Sequence, residues 1–387
     1  MRQSLIALPL IALPLLFACG PDDTSNGGQV ILCDEGEVQN PVTGDCQPDG
    51  ATNNGGGTNN GGTNNGGGAN NDGNNTTGNN VGGPDGPVDP QCVDGLYREA
   101  PPTRADLSTE LANYSSADVR GFIVDVLDAR YPIGSYLVSG GLQADPARFG
   151  GNCIDLFVRD TSSGEAIIGQ LSTVVHECGH FFDIDQGITA RGNFYAINET
   201  LSFTCSGGGA PINRGPTPAR SRMTGDDYSS KRPPCDGSRS NDCDSYADVY
   251  LDGNPDDADF QGGDQGFGSV LEETTQYVNS LATGYAYGDF VRGSVSERDG
   301  ILTFLWYVER YLKMAREDYP AAYDGLLADA CWREAILTVW GRAWLYLDLT
   351  ESESNLGIND AAIEALVLDP DLLSEIQRVR DAHGCGM

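Results

Sequence analysis

Residues 172–183 read STVVHECGHFFD and hold two of the three histidines in this chain of 387 residues. These are His176 and His180, and Glu177 follows directly after the first of them. Apolar residues recur around them at helical spacing, and positions i and i+4 of a helix lie on one face. Both imidazoles can therefore bind one metal ion, while the adjacent carboxylate can exchange a proton with a water molecule.

The segments around this stretch predict a mostly helical domain with a minor strand component. Residues 165–184 have the apolar spacing of one long helix, and residues 117–131 predict another. Residues 153–160 alternate between apolar and polar side chains, which predicts a strand. Residues 206–266 are rich in Gly, Pro and Asp and predict an irregular insertion containing cysteines. Further helices are predicted at about 269–283, 298–317, 325–347 and 358–381.

The first 19 residues indicate export. An apolar run from Leu5 to Phe17 is too short to span a bilayer and contains two prolines. Residues 16–19, Leu-Phe-Ala-Cys, resemble a bacterial lipobox, in which the cysteine is lipidated. The resemblance implies an outer-membrane lipoprotein, periplasmic or at the cell surface, attached to the membrane by a lipid on Cys19. Phe17 is atypical at its position, so a cleaved signal and a secreted protein are the alternative.

Composition divides the rest of the chain into three parts. Residues 20–50 form a small Cys-containing segment, and residues 51–90 are a linker rich in Asn, Gly and Thr. The linker has almost no apolar side chains to bury, which predicts disorder. Residues 91–387 are long enough to bury a sizeable core and must hold the chemistry. The net charge of −33 repels phosphate backbones and argues against nucleic-acid binding.

Eleven cysteines indicate disulfide bonding in an oxidising compartment. If Cys19 carries a lipid, ten remain, an even number suited to five disulfides. Local pairs are plausible for Cys33 with Cys46 and for Cys235 with Cys243, and the other pairings stay open. The chain has no CxxC, which argues against a zinc site built from cysteines.

Residues 172–183 resemble the active-site helix of the zincin metallopeptidases, whose hallmark is HExxH. An accidental match is expected in about one shuffled sequence of this composition per thousand. The resemblance implies a zincin-like domain with an active-site helix and a Cys/Gly/Asp-rich insertion. It also implies that Zn²⁺ is held by His176 and His180, with Glu177 as general base. The predicted fold class is therefore α+β, predominantly helical.

The third metal ligand is the open part of this resemblance. Metzincins continue as HxxGxxH, but Asp183 and Gln186 occupy the Gly and His positions, which leaves a glutamate ligand, the gluzincin arrangement. Glu199 has the spacing and the Asn-Glu pair of gluzincin aminopeptidases, without the usual aromatic residue and Gly around it. The segment 268–285 predicts an amphipathic helix with two more candidates. On its wheel Glu273 lies beside the buried face and Glu272 nearly opposite, so Glu273 is favoured and Glu272 and Glu199 are alternatives.

Other residues near the motif each have a functional and a structural interpretation. Asp183 is three residues after His180 and could either orient it or cap the helix end. Cys178 lies about 160° around the helix from the two histidines and is expected in the core or in a disulfide. His383 is expected to serve packing or to lie at the surface. Packing is also favoured over oxyanion stabilisation for three tyrosines, Tyr277, Tyr285 and Tyr287.

The acidic run DGNPDDADFQGGD at 252–264 raises the question of a Ca²⁺ site. Oxygen ligands alternate along it, but Asp257 and Gly263 stand where an EF-hand loop requires Gly and a bidentate Glu. A solvated acidic loop is therefore the favoured interpretation.

The sequence thus predicts an exported, lipid-anchored zinc peptidase acting on a peptide or protein substrate. A different class remains as the alternative: a surface adhesion or scaffold lipoprotein that binds zinc through the same residues without turnover. Replacing Glu177 distinguishes the two, because only the peptidase needs its carboxylate.

Overall fold

A computed structural model of the protein describes residues 37–39, 46–48, 91–94, 97–205, 266–291 and 293–385. The chain divides into two compact units, and strands β1 (Glu37–Gln39) and β2 (Cys46–Pro48) pair antiparallel in the smaller one, Phe17–Asn74. Cys19, the linker at 51–90 and the acidic run at 252–264 lie outside the described residues. So do the side chains of the pairs suggested for Cys33 with Cys46 and for Cys235 with Cys243.

Where the structure describes it, the larger unit is predominantly helical, with one antiparallel hairpin. In chain order its helices are α1 (Ser108–Ala112), α2 (Val119–Arg130), α3 (Pro132–Gln143), α4 (Pro146–Phe149), α5 (Cys153–Phe157), α6 (Gly164–Ile168), α7 (Leu171–Ala190), α8 (Phe267–Ala286), α9 (Glu297–Asp318), α10 (Pro320–Ala328), α11 (Ala330–Leu349), α12 (Asp360–Val367) and α13 (Pro370–His383). The hairpin strands are β3 (Asn193–Asn198) and β4 (Leu201–Cys205). The α+β, mostly helical class predicted from the sequence is confirmed.

Three of the predicted helices are each divided into two, and the side chain of the residue at each division makes hydrogen bonds to the backbone nearby. Between α6 and α7, Gln170 accepts hydrogen bonds from the backbone N–H groups of Arg159 and Asp160 and donates to the Asp160 carbonyl. Asp329 separates α10 from α11, and its side chain accepts from the N–H of Cys331. Asp369 separates α12 from α13 and accepts from the N–H of Asp371, and Pro370 occupies the first turn of α13. Capping carboxylates and prolines favour helix starts, so the second and third stretches each form two helices. At the first break Gln170 binds residues 159 and 160 and does not cap α7.

The strand predicted at 153–160 is wrong, because residues Cys153–Phe157 form helix α5. Asn152 caps this helix by accepting a hydrogen bond from the N–H of Asp155. Cys153 and Ile154 are both buried although they are adjacent in sequence. Burial of neighbours does not fit the alternation of a half-buried strand, and five residues are too few for periodicity alone to decide.

Helix α7 lies at the centre of the larger unit and packs against α3, α5, α8 and β3. Its contact with α3 is close, since a Cβ on Gly141 would lie only 2.3 Å from the carbonyl oxygen of Cys178. Helix α8 lies against the other side of α7 and also contacts α9, α11 and β3. This arrangement places the side chains of α7 and α8 face to face inside the core.

Within the described segments, three disulfides join distant parts of the larger unit. Cys153–Cys178 links α5 to α7, Cys205–Cys331 links β4 to α11, and Cys92–Cys385 links the first and last described segments of this unit. Cys178 is thus in a disulfide, one of the two roles expected from its position on the helix. Among the described residues, no helix has both the length and the apolar character needed to cross a membrane.

Candidate metal centre

The two histidines of the HECGH motif converge on one point beside α7. His176 and His180 lie one turn apart on this helix, and their Nε2 atoms are 2.9 Å from each other. Both residues are buried. The sequence produces this arrangement locally, because an i, i+4 pair on a helix shares one face.

Glu273 on α8 supplies a third donor atom at the same point. Its Oε2 lies 3.2 Å from Nε2 of His180 and 3.5 Å from Nε2 of His176. Donor atoms at about 2.0–2.2 Å from a tetrahedral zinc ion are about 3.3–3.6 Å from one another. The two sides of the triangle that meet at Glu273, 3.2 and 3.5 Å, are close to this range, and the side between the imidazoles, 2.9 Å, is shorter. Among the described residues, this is the group of three His, Cys, Asp or Glu side chains that could hold a metal ion.

The other two glutamate candidates occupy different places. Glu199 is exposed in the turn between β3 and β4, outside the group of three donors. Glu272 lies beside the site, and its Oε2 is 2.7 Å from Nδ1 of His180. The helical wheel placed Glu272 nearly opposite the buried face, where a solvated side chain or a partner for a ligating histidine was expected. Helix α8 packs against α7, α9, α11 and β3, and the second of these roles is the one observed. Glu272 therefore supports a histidine instead of joining the donor triangle.

Each histidine has a hydrogen-bond partner on α8 for its second ring nitrogen. Nδ1 of His176 lies 2.9 Å from Oγ of Ser280, and Nδ1 of His180 contacts both carboxylate oxygens of Glu272. The Glu272 carboxylate accepts from Nδ1–H of His180 and so favours the tautomer in which Nε2 presents its lone pair to a metal. The Ser280 hydroxyl can accept from or donate to Nδ1 of His176, and it orients that ring. Ser280 was not identified from the sequence, because no motif marks a serine that a second helix brings to the site.

The charges at the site favour a cation at its centre. Burial alone lowers the pKa of His180, but the carboxylates of Glu272 and Glu273 outweigh burial and raise that pKa well above its usual value. Burial alone raises the pKa of Glu273, and the two imidazoles reverse the effect and lower it below its usual value. Two acidic side chains therefore stabilise positive charge here, whether a proton or a metal ion supplies it.

Glu177 lies on α7 directly after the first histidine and is half-buried. Burial raises the pKa of its carboxyl, with Glu273 and Glu272 acting in the same direction and the two histidines opposing it. A carboxyl group with a raised pKa is a stronger base, which suits proton transfer near neutral pH.

Asp183 has neither of the two roles expected from the sequence. Its Oδ1 accepts a hydrogen bond from the N–H of Ala196 on β3, and its Oδ2 accepts one from Nε2 of Gln276 on α8. The buried carboxylate thus holds the hairpin and the second helix against α7. Burial, followed by the charge of Glu272, raises the pKa of Asp183 well above its usual value.

The three tyrosines of the sequence prediction all take part in packing. The ring of Tyr277 meets the imidazole of His176 edge-on and stacks on Phe304. The hydroxyl of Tyr287 donates to the carbonyl of Val126. The guanidinium of Arg104 lies over the ring of Tyr285 in a cation–π contact. His383 is the last residue of α13.

Comparison with known proteins adds no family assignment. No protein-family model, curated protein or solved structure matches this chain. The interpretation of the site therefore rests on its residues and their geometry.

Proposed function

We propose that this protein is a zinc-dependent peptidase of the zincin type, with His176, His180 and Glu273 as metal ligands. The observation that supports this proposal is the convergence of their three donor atoms, together with an acid–base candidate, Glu177, on the helix that carries both histidines. Two imidazoles and one carboxylate are a ligand set of catalytic zinc, which keeps a fourth position for water or substrate.

The chemistry divides between the ion and the chain. When bound, zinc polarises a substrate carbonyl and lowers the pKa of a water molecule to about 7. The carboxylate of Glu177 takes the proton from the attacking water and delivers it to the leaving nitrogen of the peptide bond. Ser280 and Glu272 hold the two imidazoles in orientation while this proton moves.

We also propose that the enzyme works outside the cytoplasm. The export signal, the lipobox-like Cys19 and the linker at 51–90 support a catalytic domain, residues 91–387, tethered to an outer membrane in the periplasm or at the cell surface. The three disulfides among the described residues of this domain fit an oxidising compartment.

The test compares Glu177→Gln with the wild type, using the purified full chain and a broad library of fluorogenic peptides. Glutamine cannot accept the proton, so we expect cleavage to fall at least about 100-fold. Zinc content should not change, because Glu177 lies outside the donor triangle. Glu351→Gln, an exposed residue after α11, is the matched control and should keep full activity.

Equal inertness of the wild type and Glu177→Gln, with zinc bound in both, would contradict the peptidase. That result would favour the non-catalytic alternative, a zinc-binding adhesion or scaffold protein. Cleavage by the wild type that survives both chelation and the substitution would contradict the assigned roles of the metal and of Glu177.

A further inference from the structure

A buried series of hydrogen bonds leads away from the candidate metal centre along α8. Beyond His180, Oε1 of Glu272 accepts from Nε2 of Gln276 at 3.1 Å. Oε1 of Gln276 accepts from Nδ2 of Asn279 at 2.9 Å, and Oδ1 of Asn279 accepts from Nη1 of Arg342 at 2.7 Å. These five residues are called the α8 hydrogen-bond chain below. Gln276, Asn279 and Arg342 are almost completely buried.

The far end of this chain is held from several elements. Arg342 on α11 donates from Nε to both carboxylate oxygens of Glu99, at 2.9 and 3.1 Å, and from Nη2 to the hydroxyl of Tyr131. The Tyr131 hydroxyl donates in turn to Oδ1 of Asn279. Arg342 is thus a buried, paired cation whose position does not depend on the metal centre.

The donor capacity of arginine determines the direction of every bond in the chain. A guanidinium has donors and no acceptor, so the atom of Asn279 facing Arg342 must be its carbonyl oxygen. The amide nitrogen of Asn279 then faces Gln276, whose oxygen must accept from it. The Gln276 nitrogen is left to donate towards Glu272 and Asp183. The orientations of both amides, which are otherwise a matter of assignment, therefore follow from Arg342.

These hydrogen bonds end at His180, whose tautomer decides which ring nitrogen can bind a metal ion. The ionised Glu272 carboxylate has no proton to donate, so it accepts from Nδ1–H of His180, and the N–H of Gln276 holds its Oε1 in place for this contact. A proton on Nδ1 leaves the lone pair of Nε2 free for an ion. We propose that Gln276 and Asn279 are positioning residues that transmit the donor direction of Arg342 to Glu272 and thereby hold His180 as a metal ligand.

Helix α7 contacts Gln276 closely at one residue of the motif. A Cβ on Gly179, the residue before His180, would lie 1.9 Å from Oε1 of Gln276. The second variable position of the HECGH motif is therefore glycine because the amide of Gln276 lies directly against it. A hydrogen-bond series that served only core packing would not need to pass this close to the ligand helix.

The proposal rests on the metal centre proposed above, and its test measures zinc affinity of the full chain by competition with a chromophoric chelator. The variant Asn279→Asp keeps an acceptor for Arg342 and Tyr131 but removes the donor to Gln276. The Gln276 amide must then turn its N–H towards residue 279 and its oxygen towards Glu272. We expect about 10-fold weaker zinc binding, the lower end of the range for residues that support a ligand, and a changed visible spectrum of bound Co²⁺.

Two further variants make the result decisive if Asn279→Asp folds poorly. Gln276→Met preserves volume and removes both the N–H donors and the carbonyl acceptor of the amide, so it should weaken zinc binding at least as much. Thr283→Val is the matched control, because Thr283 is equally buried on α8 and its hydroxyl donates only to the backbone carbonyl of Asn279. It should leave zinc affinity and the Co²⁺ spectrum unchanged, and apo-protein melting curves report any general loss of folding.

Zinc affinities and Co²⁺ spectra of Asn279→Asp and Gln276→Met that match the wild type would overturn the proposal. Glu272→Gln should weaken binding in the same assay, which shows that the assay detects loss of histidine support. Absence of zinc binding by the wild type would instead be a failure of the proposed metal centre itself. Zinc binding without cleavage would refute the peptidase and leave the positioning role standing.

Discussion

Replacing Cys153 and Cys178 together with alanine should destabilise the protein strongly and leave its metal site nearly intact. The disulfide closes a loop with a sequence separation of 25 residues. The chain-entropy relation for a loop of this length gives about 12 cal/mol/K, or about 3.5 kcal/mol of unfolding free energy at 25 °C. Cys178 lies within the motif, but its backbone is against Gly141 of α3, on a different side of α7 from α8. Loss of the disulfide should therefore reduce stability without moving the donor atoms.

Urea unfolding of the metal-free full chain under non-reducing conditions measures the free energy, and chelator competition measures zinc affinity. The pair Cys205 and Cys331 is the comparison, since its separation of 126 residues gives a larger loss, about 5 kcal/mol, by the same relation. A 10-fold or greater fall in zinc affinity of the folded Cys153/Cys178 variant would refute the view that this disulfide stabilises the scaffold without supporting the ligands. Unchanged unfolding free energy would refute the loop-closure estimate.

The remaining predictions concern two buried positions. Gly179→Ala should lower both the melting temperature and the zinc affinity, because three hydrogen bonds hold Gln276 where the new Cβ would lie. Unchanged values in thermal melts and zinc titrations would contradict this by showing that Gln276 can move aside. Burial raises the pKa of Glu309 to about 10, and neither carboxylate oxygen has a hydrogen-bond partner within the described part of the chain. In the unfolded chain the same carboxyl group has a pKa near 4.5. The contribution of Glu309 to the unfolding free energy is therefore fully present below pH 4.5, where the group is neutral in both states, and is lost as the pH rises towards 10. Glu309→Met should raise the unfolding free energy by about 3 kcal/mol at pH 7 and flatten its decline with pH. The control Glu317→Met, at the exposed end of α9, should do neither. If the unfolding free energy of Glu309→Met depends on pH as that of the wild type does, Glu309 is not a buried neutral carboxyl group.

The part of the site that lies on one helix was predictable from the sequence. His176 and His180 converge because helical geometry places i and i+4 on one face, whatever the rest of the fold does. The preference for Glu273 over Glu272 came from the same geometry applied to α8, and Glu273 is the one that completes the group of three donors.

The supporting residues could not be found in this way, because their contacts cross between helices. Ser280 and Gln276 reach α7 only through the packing of α8 against it. The wheel for Glu272 left a solvated side chain and a partner for a ligating histidine both open, and only the packing of α8 against α7 decides for the partner. The missed helix breaks are different, since Asp369 before Pro370 is a local start signal that apolar periodicity outweighed.

Zinc content after substitution of the competing glutamates tests the metal centre most directly. Full-chain wild type, Glu273→Ala and Glu199→Ala would be loaded with zinc, dialysed and analysed for metal per chain. We expect about one zinc ion per chain in the wild type and in Glu199→Ala, and a large loss in Glu273→Ala, because only Glu273 completes the donor triangle with His176 and His180. Full zinc retention by Glu273→Ala, or its loss from Glu199→Ala, would contradict this assignment of the metal site.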